Sequence, residues 1–347
     1  MKNCTQFASS LAAILLAVCL TMLSSDGLSQ TQIVLVTTGS TMPEPLYVLW
    51  GDEYHKLHPQ MQVRYLPVGT SESAKGILSG AGDLGGGDAL IPEQQLKKAA
   101  QTTLELPTVL VGIAIFYNLP DSATTIRLSG PVLANIYLGK ITSWSDPEIT
   151  KLNPDGKLPA LPVKVLHRTD GKGSNYIFSD FLSKVSPEFR AKVGTSVSPK
   201  WPVGASFSRC QDLLASVAQM SGAIGYAELR CGEKSTLPMA RIRNAAGEFV
   251  KPSPKSISDV ASAMESKMMN DFRISLTNAP GKESYPIVSF TWFYVPVRPQ
   301  DSERGHAVNE YLSWVYGSGQ EIAQAQGYTT LPPSVLQKVR ERVAALH

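Results

Sequence analysis

The feature that most restricts how this chain folds is a strand that runs directly into a glycine-rich turn and then a helix, at residues 163–182. Val163-Lys164-Val165-Leu166 is an apolar run that reads as a buried strand. The turn is His167-Arg168-Thr169-Asp170-Gly171-Lys172-Gly173-Ser174, and Tyr176-Ile177-Phe178-Ser179-Asp180-Phe181-Leu182 then carries apolar positions at helical spacing. The start of a helix offers unpaired N–H groups and the positive end of a dipole, so it suits an anion. Arg168 adds a planar, permanently charged fork at the strand end. The stretch reads as one wall of an oxyanion site, with phosphate the first candidate.

The same grammar recurs along the chain. Gln32 to Thr37 is an apolar strand, and Thr38-Gly39-Ser40-Thr41-Met42-Pro43 is a hydroxyl-rich turn. Pro43 and Pro45 stand in the first turn of a helix, whose expected buried face is Leu46, Leu49, Trp50, Tyr54 and Leu57. Gln62 to Val68 is a strand, Gly69-Thr70-Ser71 a turn, and a short helix is expected from about Ser73 to Leu78. Asp83-Leu84-Gly85-Gly86-Gly87-Asp88 is a short strand whose glycines allow close backbone approach and whose end is a carboxylate. Ser129 caps a helix that stops at Gly139, and Ser208-Arg209-Cys210-Gln211 has capping-box spacing before another. Two long strand-like stretches, Leu106–Tyr117 and Tyr285–Val295, are suited to linking two domains. Alternating strands and helices imply α/β architecture with parallel sheets, and ligands in such folds sit beyond the carboxyl ends of strands. Every donor-rich turn named above falls there.

Composition narrows the class. A chain of 347 residues with 43% hydrophobic and 18% charged content can bury two sizeable cores. A net charge of +3, without a Lys/Arg run interleaved with aromatics, gives no footing for nucleic acid. Lys2 and the apolar segment Ala8–Leu23 form an export signal, with Gly27 and Ser29 at the small-residue positions and cleavage after Ser29. The apolar run falls short of the ~20 residues a membrane span needs. Val18 is too large for a lipoprotein site at Cys19, so lipid anchoring there is not expected. Removing residues 1–29 leaves Cys210 and Cys231, which in an exported chain favour one disulfide over a metal site. His55 and His58 have no clustered ligands around them and read as solvated helix residues; no metal or other cofactor is expected. Gly171-Lys172-Gly173-Ser174 and Gly69–Lys75 both lack nucleotide-loop spacing.

The collected pieces resemble the periplasmic phosphate-binding proteins of bacterial phosphate ABC transporters. The resemblance rests on Thr41-Met42-Pro43-Glu44-Pro45-Leu46-Tyr47, Gly69-Thr70-Ser71, Asp83 to Asp88 and Arg168 to Ser174, in that order and spacing. Ile136 to Ile141, Gly222 to Tyr226, Gly327-Tyr328 and Leu331-Pro332 support it. It implies a two-lobed periplasmic binding protein fold (type II) with parallel-rich sheets, hinge crossover strands and a ligand cleft between the lobes. Lobe 1 would take 30–117 plus 289–347, and lobe 2 would take 118–288.

By the same resemblance, Thr41, Thr70 and Ser174 would offer hydroxyls to phosphate, and Met42 and Gly173 their amides. Asp88 would accept the ligand's proton, Arg168 would bind the ligand, and Asp170 would pair with Arg168. Lys172 is a departure, because the family usually has serine there; it joins the expected phosphate-binding set as a flexible cation. Glu44 and Glu72 would make the rim more acidic than is usual. The implied partners are inorganic phosphate and the membrane permease of an ABC transporter, the place is the periplasm, and the state is a monomer.

Asp88 argues for phosphate in particular. A carboxylate facing an anion makes sense only if the ligand donates a proton, which monohydrogen phosphate can do and fully ionised sulfate cannot. The alternatives are an exported phosphatase using the same pocket, or a binding protein for another oxyanion or an organic phosphate. The first needs a nucleophile with an adjacent base, or a metal, and neither is legible here, so a binding protein rather than an enzyme is expected.

Overall fold

The computed structural model describes residues 32–120, 125–233, 235–297 and 301–346. The expected signal peptide at 1–29, with Cys19, lies outside the described residues. The chain begins with β1 (Ile33–Thr38), α1 (Glu44–Leu57), β2 (Met61–Leu66), α2 (Thr70–Leu78), β3 (Leu84–Gly87) and α3 (Glu93–Lys98). β4 (Thr103–Tyr117) leads to β5 (Arg127–Leu128), α4 (Gly130–Tyr137), α5 (Pro147–Thr150), β6 (Lys164–Arg168), α6 (Gly173–Val185) and α7 (Pro187–Lys192). β7 (Ala205–Phe207), α8 (Cys210–Gln219), β8 (Ala223–Glu228) and a 3-10 turn (Leu229–Gly232) come next. The remainder is β9 (Arg241–Arg243), β10 (Phe249–Val250), α9 (Pro254–Asn270), β11 (Val288–Pro296), α10 (Ser302–Trp314), α11 (Gln320–Ala325) and α12 (Pro333–Ala344).

Eight strands form one sheet in the order β2-β1-β3-β11-β4-β8-β6-β7, and β10, β9 and β5 form a small second one. β1 pairs parallel with β2 and β3, and β6 pairs parallel with β7 and β8. The three central pairings, β3 with β11, β11 with β4 and β4 with β8, are antiparallel. The parallel expectation therefore holds for the two flanks and fails at the centre. β11 reaches the sheet only after the whole 118–287 segment, so no short βαβ crossover dictates its direction. β4 is the physical link: its half from Thr103 to Gly112 pairs with β11, and Ile113–Tyr117 pairs with β8. α9 packs against both α12 and β4, so a helix from the 118–288 stretch also rests on elements of the other flank.

Local departures from the sequence reading have local causes. On α1 the buried residues are Leu46, Tyr47, Trp50, Gly51 and Tyr54. Leu49 is half-buried and Leu57 exposed, because the last turn of α1 runs on to His58, where the chain reverses into edge strand β2. α2 begins at Thr70 rather than Ser73, since Gly69 at φ +107° completes the turn in one residue. The capping box expected at Ser208–Gln211 does not form: α8 starts at Cys210 with Arg209 at the cap and no side-chain cap. A capping box occurs instead at Ser253 and Ser256, ahead of α9. Ser129 caps α4 as expected, accepting from Val132 N at 3.4 Å.

Aromatic packing holds the site-bearing helices in place. The Tyr47 ring on α1 lies 4.6 Å from Phe293 of β11, and Phe178 on α6 lies 4.3 Å from Tyr226 of β8. These rings fix where α1 and α6 begin relative to the sheet. Cys210 and Cys231 are disulfide-bonded, joining the start of α8 to the 3-10 turn across 21 positions.

Candidate functional site

β6 delivers Arg168 to its carboxyl end, where β7 and β8 flank it. The register sets Arg168 opposite Phe207 and brings the end of β8 alongside. Arg168 is 2% exposed. Its Nη1 donates to Glu228 Oε2 at 3.3 Å and its Nη2 to the Ser208 carbonyl at 2.9 Å. The carboxylate partner is thus Glu228 and not Asp170, which is exposed. Asp170 sits in the turn after the chain has left the sheet, whereas Glu228 ends a strand paired with that of Arg168. Glu228 carries no motif of its own, and only strand pairing could have pointed to it.

The turn after Arg168 is tied down by side chains. Asn175 donates to the carbonyls of Thr169 at 2.8 Å and Val197 at 3.0 Å, and it accepts from Tyr226 OH. Tyr226 OH in turn accepts from Arg168 N at 3.3 Å. Lys172 occupies the N-cap of α6 but provides no side-chain cap. The first-turn amides of Gly173 and Ser174 are thus left without a side-chain acceptor.

The opposing wall comes from the other flank. β1, β2 and β3 run parallel, so their carboxyl ends bring Ser40–Met42, Gly69–Thr70 and Asp88 together. Asp88 is completely buried. Its Oδ2 accepts from Ser40 Oγ, and Thr70 Oγ1 lies 3.5 Å away. Thr70 Oγ1 also accepts from Asp88 N at 3.3 Å. Ser40 Oγ accepts from Met42 N at 3.1 Å, and Tyr65 OH donates to the Ser40 carbonyl at 2.6 Å. The Met42 amide is therefore already engaged within its own turn. Thr41 lies half-buried beside it. Ser40 is the residue that sequence reasoning passed over; its signal was its place in a run of three turn residues with two hydroxyls.

The two walls meet. Ser71 N donates to the Gly171 carbonyl at 3.4 Å. A Cβ placed on Gly173 would lie 2.3 Å from Asp88 Cβ, so only glycine allows this approach. Lys172 Nζ stands 3.8 Å from where a Cβ would project at Gly69. Thr70, Asp88, Arg168, Gly173 and Ser174 are thus gathered and buried, Lys172 spans the two turns, and Asp170 falls outside.

Electrostatics follow from the burial. Loss of water pushes the Asp88 carboxyl up to about 7, and the Glu228 charge pushes the same way. The Ser40 and Thr70 hydrogen bonds and Arg168 pull in the opposite direction. The Lys172 ammonium is held below its ordinary range by burial first and by Arg168 second, with Glu228 opposing. Among the buried side-chain atoms of the described residues that have no hydrogen-bond partner, two belong to this site: Asp88 Oδ1, an acceptor, and Arg168 Nε, a donor. Such atoms cost free energy unless something satisfies them. The arrangement can hold a small oxyanion that accepts from Arg168 and from helix amides while donating an O–H to Asp88.

Comparison with known proteins bears on this geometry. Residues 25–318 match the model of a PBP superfamily domain. A phosphate-binding protein PstS of Pasteurella multocida is 31% identical over 329 residues, covering 94% of each chain. A phosphate-binding protein PstS of Methanocaldococcus jannaschii is 32% identical over 334 residues, covering 90% of this chain and 86% of its own. An ABC-type phosphate transport receptor from Vibrio cholerae shares the fold at a TM-score of 0.61 and 15% identity, over 86% of this chain and 99% of its own.

Proposed function

The chain belongs to the PBP superfamily and to the family of PstS phosphate-binding proteins, and from that premise we propose that it captures inorganic phosphate between two lobes and delivers it to a membrane permease. The observation that carries the ligand assignment is the pair of unsatisfied buried atoms, Asp88 Oδ1 and Arg168 Nε. Monohydrogen phosphate satisfies both at once, accepting from Nε and donating its proton to Oδ1. Sulfate satisfies only the first and sets an acceptor against an acceptor. A site built around such a bond rejects the ligand lacking it by ~10⁴ or more.

In this reading Thr41, Thr70 and Ser174 supply hydroxyls, Gly173 supplies its amide, Lys172 adds a mobile cation, and Met42, whose amide is taken by Ser40 Oγ, shapes the turn rather than binding the ligand. Ser40 and Glu228 orient Asp88 and Arg168 rather than the ligand. The lobes are 30–117 with 289–347, and 118–288, an assignment supported by the divided pairing of β4. β4 and β11 act as the hinge, and closure removes water so that fixed dipoles act at low dielectric. The chain works as a monomeric binding protein, not an enzyme, in the periplasm after export; its disulfide fits an oxidising compartment. Delivery to a permease is supported by the Vibrio cholerae receptor, described as an ABC-type phosphate transport protein.

Calorimetry of the mature protein with phosphate and with sulfate tests the proposal, repeated for Asp88→Asn. Phosphate binding by the wild type and a phosphate-over-sulfate ratio narrowed at least tenfold in the variant are expected. An unchanged ratio would remove Asp88 from the discrimination. Turnover of a phosphomonoester in a parallel hydrolysis assay would overturn the binding-only reading.

A further inference from the structure

The Cys210–Cys231 disulfide sits where both partners of Arg168 are attached. Ser208, whose carbonyl accepts from Nη2, lies two residues before Cys210. Glu228, which accepts from Nη1, lies three residues before Cys231. The two attachments are held unequally. Ser208 is exposed and follows β7, a three-residue edge strand paired only with β6. Glu228 ends β8, buried and paired with Ile113 of β4, and the chain then enters a 3-10 turn of four residues. α8, between the two, begins without a side-chain cap. The covalent bond ties the exposed Ser208 side to the sheet-held Glu228 side.

We propose that this disulfide is a positioning element for the Arg168 guanidinium: by holding Ser208 and Glu228 at one separation it keeps Nη1 and Nη2 engaged and Nε presented for phosphate. The inference rests on the reading of Arg168 as a phosphate ligand. A guanidinium fork matches two acceptors only when they are correctly spaced. If the spacing drifts, one partner is lost, and the fork can turn Nε toward the freed acceptor. Losing one hydrogen bond to a charged group corresponds to roughly a tenfold to hundredfold change in affinity.

The test is a double-mutant cycle read by calorimetry with inorganic phosphate. It uses the mature wild type, Cys210→Ser/Cys231→Ser, Glu228→Gln, and the combination. Removing the disulfide is expected to weaken phosphate binding about tenfold or more in the wild-type background, and by less than about threefold in the Glu228→Gln background. Equal losses in both backgrounds, or no loss in either, would overturn the proposal. Should the serine variant fail to fold, the native protein is treated with dithiothreitol. That dithiol passes two electrons and two protons to the Cys210–Cys231 bond and leaves as its cyclic disulfide. Affinity that falls while the near-ultraviolet circular dichroism persists supports the positioning role. Affinity that is retained, or that is lost only together with that signal, refutes it. If the untreated wild type binds no phosphate, the ligand assignment fails, which is distinguishable from failure of the disulfide's role.

Discussion

Removing the charge of Asp88 should change how stability depends on pH. The carboxyl is completely buried, one oxygen lacks a partner, and burial moves it from 3.8 to about 7. In the unfolded chain it loses its proton near 4, whereas in the folded protein it keeps the proton to about 7. Between those values the folded state binds more protons, so stability falls as pH rises through that window. The interval is roughly three pH units at about 1.4 kcal/mol each, or about 4 kcal/mol in all. Below about 4 the penalty is absent, and above about 7 it is complete. Asp88→Asn removes the titration while keeping the shape. Denaturant unfolding of both proteins, at steps from pH 4 to 8 in phosphate-free buffer, gives the stability of the wild type relative to the variant. That difference is expected to fall by a few kcal/mol from pH 4 to 7 and then level off. A flat difference would refute the reasoning, because it would mean that Asp88 is hydrated or paired in the ligand-free protein. Saturating phosphate should offset the penalty at pH 7 and above, since the ligand's proton then satisfies the carboxylate.

Three further outcomes follow from the same geometry. Gly173→Ala puts a methyl 2.3 Å from Asp88 Cβ; phosphate affinity should fall at least tenfold, with a larger radius of gyration in small-angle scattering because the walls cannot meet. Ser40→Ala removes a donor that holds the Asp88 carboxyl down, a bond worth about 1.5–3 kcal/mol, so the pH at which stability levels off should move up by about one unit or more. Lys172→Ser removes a half-buried cation bridging the two turns; phosphate binding should weaken several-fold and become less sensitive to ionic strength in titrations at low and high salt.

The fold and the site were legible to different depths. Strand–turn–helix units announce themselves because apolar runs, glycines and first-turn prolines act over a few residues. The donor-rich turns at Ser40–Pro43, Gly69–Ser71 and Gly171–Ser174 were found that way. The antiparallel centre was not, since β11 arrives from far along the chain and its direction depends on where the intervening segment leaves it. The start of α2 moved by three residues, where a single positive-φ glycine outweighed spacing rules, and the cap of α8 moved by one, from Ser208, whose carbonyl Arg168 takes, to Arg209.

Residue sequence alone determined that the chain is α/β, that Cys210 and Cys231 pair, and that Arg168, Asp88 and Thr70 belong at strand ends. Each follows from neighbours in the chain, because helix dipoles, turns and strand termini are local. Tertiary structure decided which groups face one another. Arg168 takes Glu228 rather than Asp170 because β6 and β8 lie side by side in register. Asp88 takes Ser40 because β1 and β3 are parallel neighbours, and Gly173 rests on Asp88 because two distant flanks of the sheet close together. Charge partners are chosen by proximity in space, and proximity across strands is a property of packing that no single stretch of the chain contains.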